Sequence, residues 1–348
     1  MILVIIKGVK MKKNNHYVPQ IYLKQWEQKH KIYTYEVLVP NKNCPIWKRE
    51  SISRTSSLDY LYLYDINEKI SEELEDFFCF EVENQYQNFI DKLNNYSVLN
   101  ENDFKYISKL IATQHLRTIG GYTRCQKVWV DLFENGIIND TIEIMNKEFQ
   151  EGILPRNVNK ISSIDEKTLP IKTSLVKENN ESVFLKVDAI IGKSAWIYSM
   201  EYLFSNTYEV LNNVSWCVYE APEHFNWVTS DDPVILLNCY DENTYDFNGG
   251  WASKNTCIIF PLSPKKLLFA QIGVEQDTFY KKASMDFARL IQKFIIEHAF
   301  LKVYSLKESS MVSSVRNRTV NRKEFLRIKK EIEQLHENYK NEELLYFK

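Results

Sequence analysis

The sequence predicts an α+β fold: an N-terminal strand segment, a central helical block, and a C-terminal, mostly antiparallel sheet with flanking helices. Three observations carry this. Apolar residues recur at helical spacing through about 70–150, short β-rich runs dominate about 183–305, and 21 Tyr with 19 Phe supply large rings for a core. A chain of 348 residues suits one large α+β domain, expected over 11–320, with an amphipathic helix following over 321–348.

At the N-terminus, Asn14-Asn15-His16-Tyr17-Val18-Pro19-Gln20 should be extended, because Pro19 disfavours helix at Val18. Ile21 to Trp26 suits a single helical turn. Lys31 to Val39 alternates as a strand ending at Pro40, and a second strand is expected near Tyr60 to Tyr64.

The helical block opens with Ser71 as an N-cap before Glu72 and Glu73, acidic residues suited to a helix N-terminus. Leu74, Phe78, Val82, Tyr86, Phe89 and Leu93 then follow at helical spacing. A second helix from about Asp103 carries Phe104, Ile107, Leu110 and Ile111 on one face and should stop near Gly120-Gly121. One or two further helices occupy about 123–150. Residues 152–182 are polar, with Pro155 and Pro170, and read as an irregular connection.

Phe184 to Ile191 reads as a strand and Ala195 to Leu211 as a helix. Short strands follow at Val214–Tyr219, Phe225–Thr229, Val234–Leu237, Thr256–Phe260 and Leu267–Ile272, with Asn248-Gly249-Gly250 as a hairpin signal. Met285 to His298 is expected to be helical and Phe300 to Tyr304 extended. Arg322 to Tyr346 has the apolar spacing of an amphipathic helix.

Composition narrows the function. A net charge of -2 gives no general attraction to nucleic acid or to anionic membranes, and the cluster Arg316, Arg318, Arg322, Lys323 reads as solvated surface. Six scattered cysteines form no CxxC pair, as expected of reduced thiols in a cytoplasmic protein. The apolar run Met1 to Val9 is short, leads into Lys10, Lys12 and Lys13, and lacks a cleavage site; Met11 is an alternative start. No stretch reaches the roughly 18 apolar residues a bilayer requires, so a soluble protein is expected.

Nine glycines leave little material for phosphate-cradling loops, and there is no GxGxxG, GxSxG, HExxH or kinase signature. Gly192-Lys193-Ser194 looks like the end of a phosphate-binding loop. Val187 stands where the earlier glycine is required.

Two polar segments do not suit their apolar surroundings: His16 to Gln20, and Thr229-Ser230-Asp231-Asp232-Pro233 between two apolar strands. Pro233 ends strand pairing, so both carboxylates should sit at the mouth of a sheet. Gln114 and Arg117 share the apolar helix face of Ile111 and Leu110, and a buried amide and guanidinium demand partners. Asp231 and the Asn15-His16 segment are the candidates.

These segments carry a resemblance. His16-Tyr17-Val18-Pro19-Gln20 with Tyr22-Leu23, then Gln114-His115-Leu116-Arg117, Thr229-Ser230-Asp231-Asp232-Pro233 and Pro261-Leu262-Ser263-Pro264, resemble the ordered motifs of a bacterial family catalogued as domain of unknown function 4238. The likeness spans about residues 12–305. The family pattern often has Asn at the place of Asp232 and a Pro shortly after Arg117 that this chain lacks. It implies no particular activity and indicates which residues to test.

Two functions fit. In one, the protein is a hydrolase of phosphodiesterase or nuclease type, acting on nucleic acid or a nucleotide in antiviral defence or as a toxin. His16 and Asp231 activate water, Arg117 steadies phosphate charge, and Gln114 lies beside them. A metal, Mg²⁺ or Mn²⁺, would be held by His16, Asp231 and Glu83, although Glu83 also suits a solvated helix face. In the other, the protein is a non-enzymatic ligand- or protein-binding module in which the same residues form a buried structural network. Exposure discriminates them: catalytic groups line an open pocket, network groups are sealed. Ser230 suits a turn-capping hydroxyl better than a nucleophile, and His115, His224 and His298 read as structural or surface residues.

Overall fold

The computed structural model describes residues 14–62, 64–66, 69–71, 73–132, 171–177, 183–189, 191–205, 207–241 and 244–335. The expected start at Met11, the elements over 133–150 and the end of the C-terminal helix lie outside them.

The C-terminal strands read as continuous apolar runs rather than alternating ones, and the architecture explains why. Six strands form a sheet in the order Tyr245–Asp246, Ile235–Cys239, Cys257–Pro261, Lys266–Gln271, Trp216–Glu220, Tyr280–Lys282, antiparallel except at the last pair. Both faces are buried. Leu236, Ile258, Phe260 and Leu268 point into one hydrophobic cluster, while their neighbours Ile235, Leu237, Ile259 and Leu267 point into another. Side chains alternate along a strand, so a sheet covered on both sides needs apolar residues at every position.

The first cluster is covered by the N-terminal segment and the helical block. Tyr86, Phe89 and Leu93 come from the helix Asn84–Asn94, and Ile107, Leu110 and Ile111 from Glu101–Leu116. Trp196 and Met200 come from Lys193–Ser205. The second cluster packs Ala288, Ile291, Phe294 and Ile295 of the helix Met285–His298. A four-stranded antiparallel sheet adjoins it, ordered Thr229–Ser230, Lys302–Ser305, Ile32–Glu36, Trp47–Glu50. Asn14–His16 pairs antiparallel with Ser57–Asp59. The architecture is α+β, and none of the helices among the described residues is long and apolar enough to cross a membrane.

Several local expectations are corrected. Ser71 ends the strand Lys69–Ser71, and the helix described from Glu73 passes into a π-helical turn at Phe78–Glu83. Ile171–Lys177 is a strand paired with Val183–Ala189, not irregular chain. Asn248-Gly249-Gly250 makes no hairpin, because the strands on either side of it both pair with Ile235–Cys239. Gly120-Gly121 do not end the second helix. That helix ends at Leu116, and the glycines lie in the first turn of the next, Ile119–Asp131, whose N-cap Thr118 accepts from the Gly121 amide at 2.9 Å. Their small size is required by close packing: a Cβ on Gly121 would lie 2.5 Å from the Leu116 carbonyl oxygen.

Candidate functional site

The four polar motifs hydrogen-bond to one another across the core. Pro19 ends the extended His16 segment, and the helical turn Gln20–Leu23 then aims Tyr22 into the interior. The Tyr22 hydroxyl donates to the Pro261 carbonyl at 2.7 Å and so receives the Thr229 hydroxyl hydrogen at 2.5 Å. Trp26 Nε1 donates to the Trp227 carbonyl at 2.8 Å, and the Tyr86 hydroxyl to that of Leu262 at 2.6 Å.

From the helix Glu101–Leu116 and its C-cap, Gln114 Nε2 reaches the Tyr17 carbonyl at 3.2 Å and Arg117 reaches that of His16. Arg117 is also the ion-pair partner of Glu83, at 2.8 Å, and its guanidinium carbon lies 4.3 Å over the Phe78 ring. The expected Arg117–Asp231 pairing is therefore replaced by Arg117–Glu83. Glu83 is not on a purely solvated face, because the π-helical turn and the helix after it carry its carboxylate to the guanidinium. Burial works against the Arg117 cation, but Tyr62, Glu83 and Glu75 around it outweigh that and raise its pKa.

His16 is half-buried, and its Nε2 is sealed from solvent without a hydrogen-bond partner. Burial, and then Arg117, lower its pKa, so the imidazole is neutral at pH 7.

The two aspartates diverge. The Asp231 carboxylate accepts from the Phe300 amide at 2.9 Å and the Leu301 amide at 2.8 Å, tying down the chain just beyond the helix Met285–His298. Burial raises its pKa to about 6 against the opposing pull of those backbone bonds. Asp232 accepts from Thr118 Oγ1 at 2.8 Å and from both terminal nitrogens of Arg124, and its carbonyl accepts from His298 Nδ1 at 3.0 Å. Burial alone would raise this carboxyl too, but Arg124 and His298 outweigh it and hold it at about 2. The arrangement is a buried bidentate ion pair at a helix N-terminus, where a carboxylate is doubly favoured.

Tyr22 bonds Thr229, and Thr118, next to Arg117, bonds Asp232, so the His16–Tyr22 segment, the Gln114–Arg117 stretch and the 229–233 turn do meet around one polar centre. The centre is closed: Gln114 is 2% exposed, Arg117 1%, Asp231 3% and Asp232 2%. The expected metal set of His16, Asp231 and Glu83 is corrected on its donors. Asp231 is committed to two amides and Glu83 to Arg117, and among the described residues no group of three or more His, Cys, Asp or Glu could hold a metal ion.

Sequence reasoning missed Thr118, Arg124 and His298 as partners of Asp232. One signal was present: two adjacent glycines just after a buried Arg indicate close approach by another segment, and here a Cβ on Gly120 would lie 2.2 Å from Asp232 Oδ2. Arg316, read as surface, instead donates to the carbonyls of Ile296, Glu297 and Ala299 at a helix C-terminus. Lys193, in the stretch that looked like a phosphate loop, donates to the Tyr60 carbonyl at 2.8 Å.

Beside the Asp232–Arg124 pair lies a cleft of about 420 Å³ between the helices Ile119–Asp131 and Lys193–Ser205. Arg124 and His115 lie at one side of it, and Val128, Trp129, Tyr198 and Tyr202 line the rest.

Fold and centre together define an α+β protein in which interlocked polar motifs brace a helix pair flanking a cleft. The family follows directly: a family model matches residues 14–309, and the chain belongs to the family described as Protein of unknown function (DUF4238). Neither a curated protein nor a solved structure matches the chain.

Proposed function

We propose that the protein is a non-enzymatic binding module whose motif residues build its interior and hold the walls of the cleft in register. The observation that carries this is closure: Gln114, Arg117, Asp231 and Asp232 are sealed from solvent, and their polar groups are turned on the protein's own backbone and side chains. A group that works on substrate needs access to it, whereas a group that braces a core needs only partners. Truncating one member of such a network strands the other, at a cost of about 3–5 kcal/mol for a buried charge.

Arg117→Ala and Asp231→Ala should therefore lower the melting temperature steeply, and neither they nor the wild type should hydrolyse a panel of phosphodiesters. Variants that melt like wild type, together with a wild-type turnover that they lose, would overturn the reading.

A hydrolytic reading retains one specific support, the half-buried His16 imidazole with its unpartnered Nε2. It requires that His16→Ala keep the fold and abolish turnover of a nucleic-acid or nucleotide substrate.

A further inference from the structure

The electrostatics of the cleft beside Arg124 restrict what it can take. Both terminal nitrogens of its guanidinium bond Asp232, and one also donates to the His115 carbonyl at 3.0 Å, while the buried Nε is without a partner. Three other polar groups bond one another or the backbone. Trp129 Nε1 donates to Ser199 Oγ at 2.8 Å, Cys125 to the same oxygen at 3.3 Å, and Ser199 to the Ala195 carbonyl at 2.8 Å. An anion entering here would lose its water and, among the described lining residues, gain no cation that is not already paired with a carboxylate.

What the cleft offers instead is apolar surface and rings. Val128 on one helix is 65% exposed and Tyr202 on the other 57%, large side chains presented to solvent, and the ring centroids of Trp129 and Tyr198 lie 6.3 Å apart. Flat walls of this kind favour a planar ring by area burial and by offset or edge contacts.

We propose that the cleft binds an uncharged, ring-bearing, largely apolar small molecule. The inference rests on the binding-module reading and names its ligand class.

Two dyes of the same anilinonaphthalene skeleton test it. N-phenyl-1-naphthylamine is neutral with one N–H, and 1-anilinonaphthalene-8-sulfonate adds an anion. In fluorescence titration the neutral dye should bind saturably and at least tenfold more tightly than the sulfonate. Val128→Glu, at an exposed helix position with wild-type melting as the control for folding, should weaken the neutral dye at least tenfold. Tyr202→Ala should weaken it several-fold.

Tighter binding of the sulfonate, or of AMP in a parallel titration, overturns the ligand class and leaves the binding-module reading standing. Neutral-dye binding that neither substitution alters overturns the site. Absence of saturable binding by any of these compounds overturns the inference, and hydrolysis of the phosphodiester panel overturns the reading beneath it.

Discussion

Gly120 shows how much one missing methyl group decides. It lets the Asp232 carboxylate reach the first turn of the helix Ile119–Asp131, where Thr118 and Arg124 hold it. A Cβ would meet the Asp232 Cγ at 2.7 Å, and this short, doubly anchored side chain cannot swing aside as a long one would. Gly120→Ala should therefore destabilise the protein by about 2–4 kcal/mol despite the better helix propensity of Ala, a difference urea unfolding would register. An unchanged midpoint would mean that the Asp232–Arg124 pair is not held as described. At this scale the sequence revealed need but not partner. Gln114 and Arg117 stood out because a polar residue on an apolar face must bond to something, yet Glu83 lies 34 positions away and no local pattern points to it.

Helices and strands were legible where their boundaries are set locally. Asn100 and Asp103 form a reciprocal capping box that starts the helix Glu101–Leu116, and Ser284 caps Met285–His298. Boundaries set by distant contacts were not legible. Trp196 Nε1 donates to the Leu116 carbonyl at 2.9 Å, at the point where the second helix stops. At the end of Met285–His298, Arg316 gathers three carbonyls and Asp231 two amides of the chain that follows. Arg316→Met keeps the length of the side chain and removes its donors. It should cost about 1–3 kcal/mol and speed hydrogen exchange at Phe300 and Leu301, read by mass spectrometry or NMR. Wild-type exchange there would show that Arg316 does not secure that end.

Across the whole molecule, four buried ionisable groups near the 231–232 turn set how stability follows pH. Burial, with Arg124 adding to it, lowers His115 to about 3, and burial likewise lowers His298. The unfolded chain takes up protons at both near pH 6.5 while the folded chain does not, so the stability they contribute is complete above that pH and lost as it falls. Asp231, raised to about 6, acts oppositely between about 6 and its ordinary value, because there the folded chain holds the extra proton. Asp232, held at about 2, contributes above its ordinary range and loses this only towards pH 2. Two histidines outweigh one aspartate, so the melting temperature should fall between pH 7 and pH 4, and His115→Gln should flatten that slope. A melting temperature that rises on acidification would contradict the neutral, buried state of the histidines.

The α+β class, the apolar faces of the long helices and the motif residues that must be partnered follow from the sequence by itself, because periodicity and the cost of an unmet polar group are local properties. Which groups meet is different. The pairing of Arg117 with Glu83, 34 residues apart, and of Asp232 with Arg124, 108 apart, and the closure of the centre around them, depend on distant segments folding against the same sheet. Only the tertiary structure decides those distances, because they arise from how whole layers pack and no single segment encodes them.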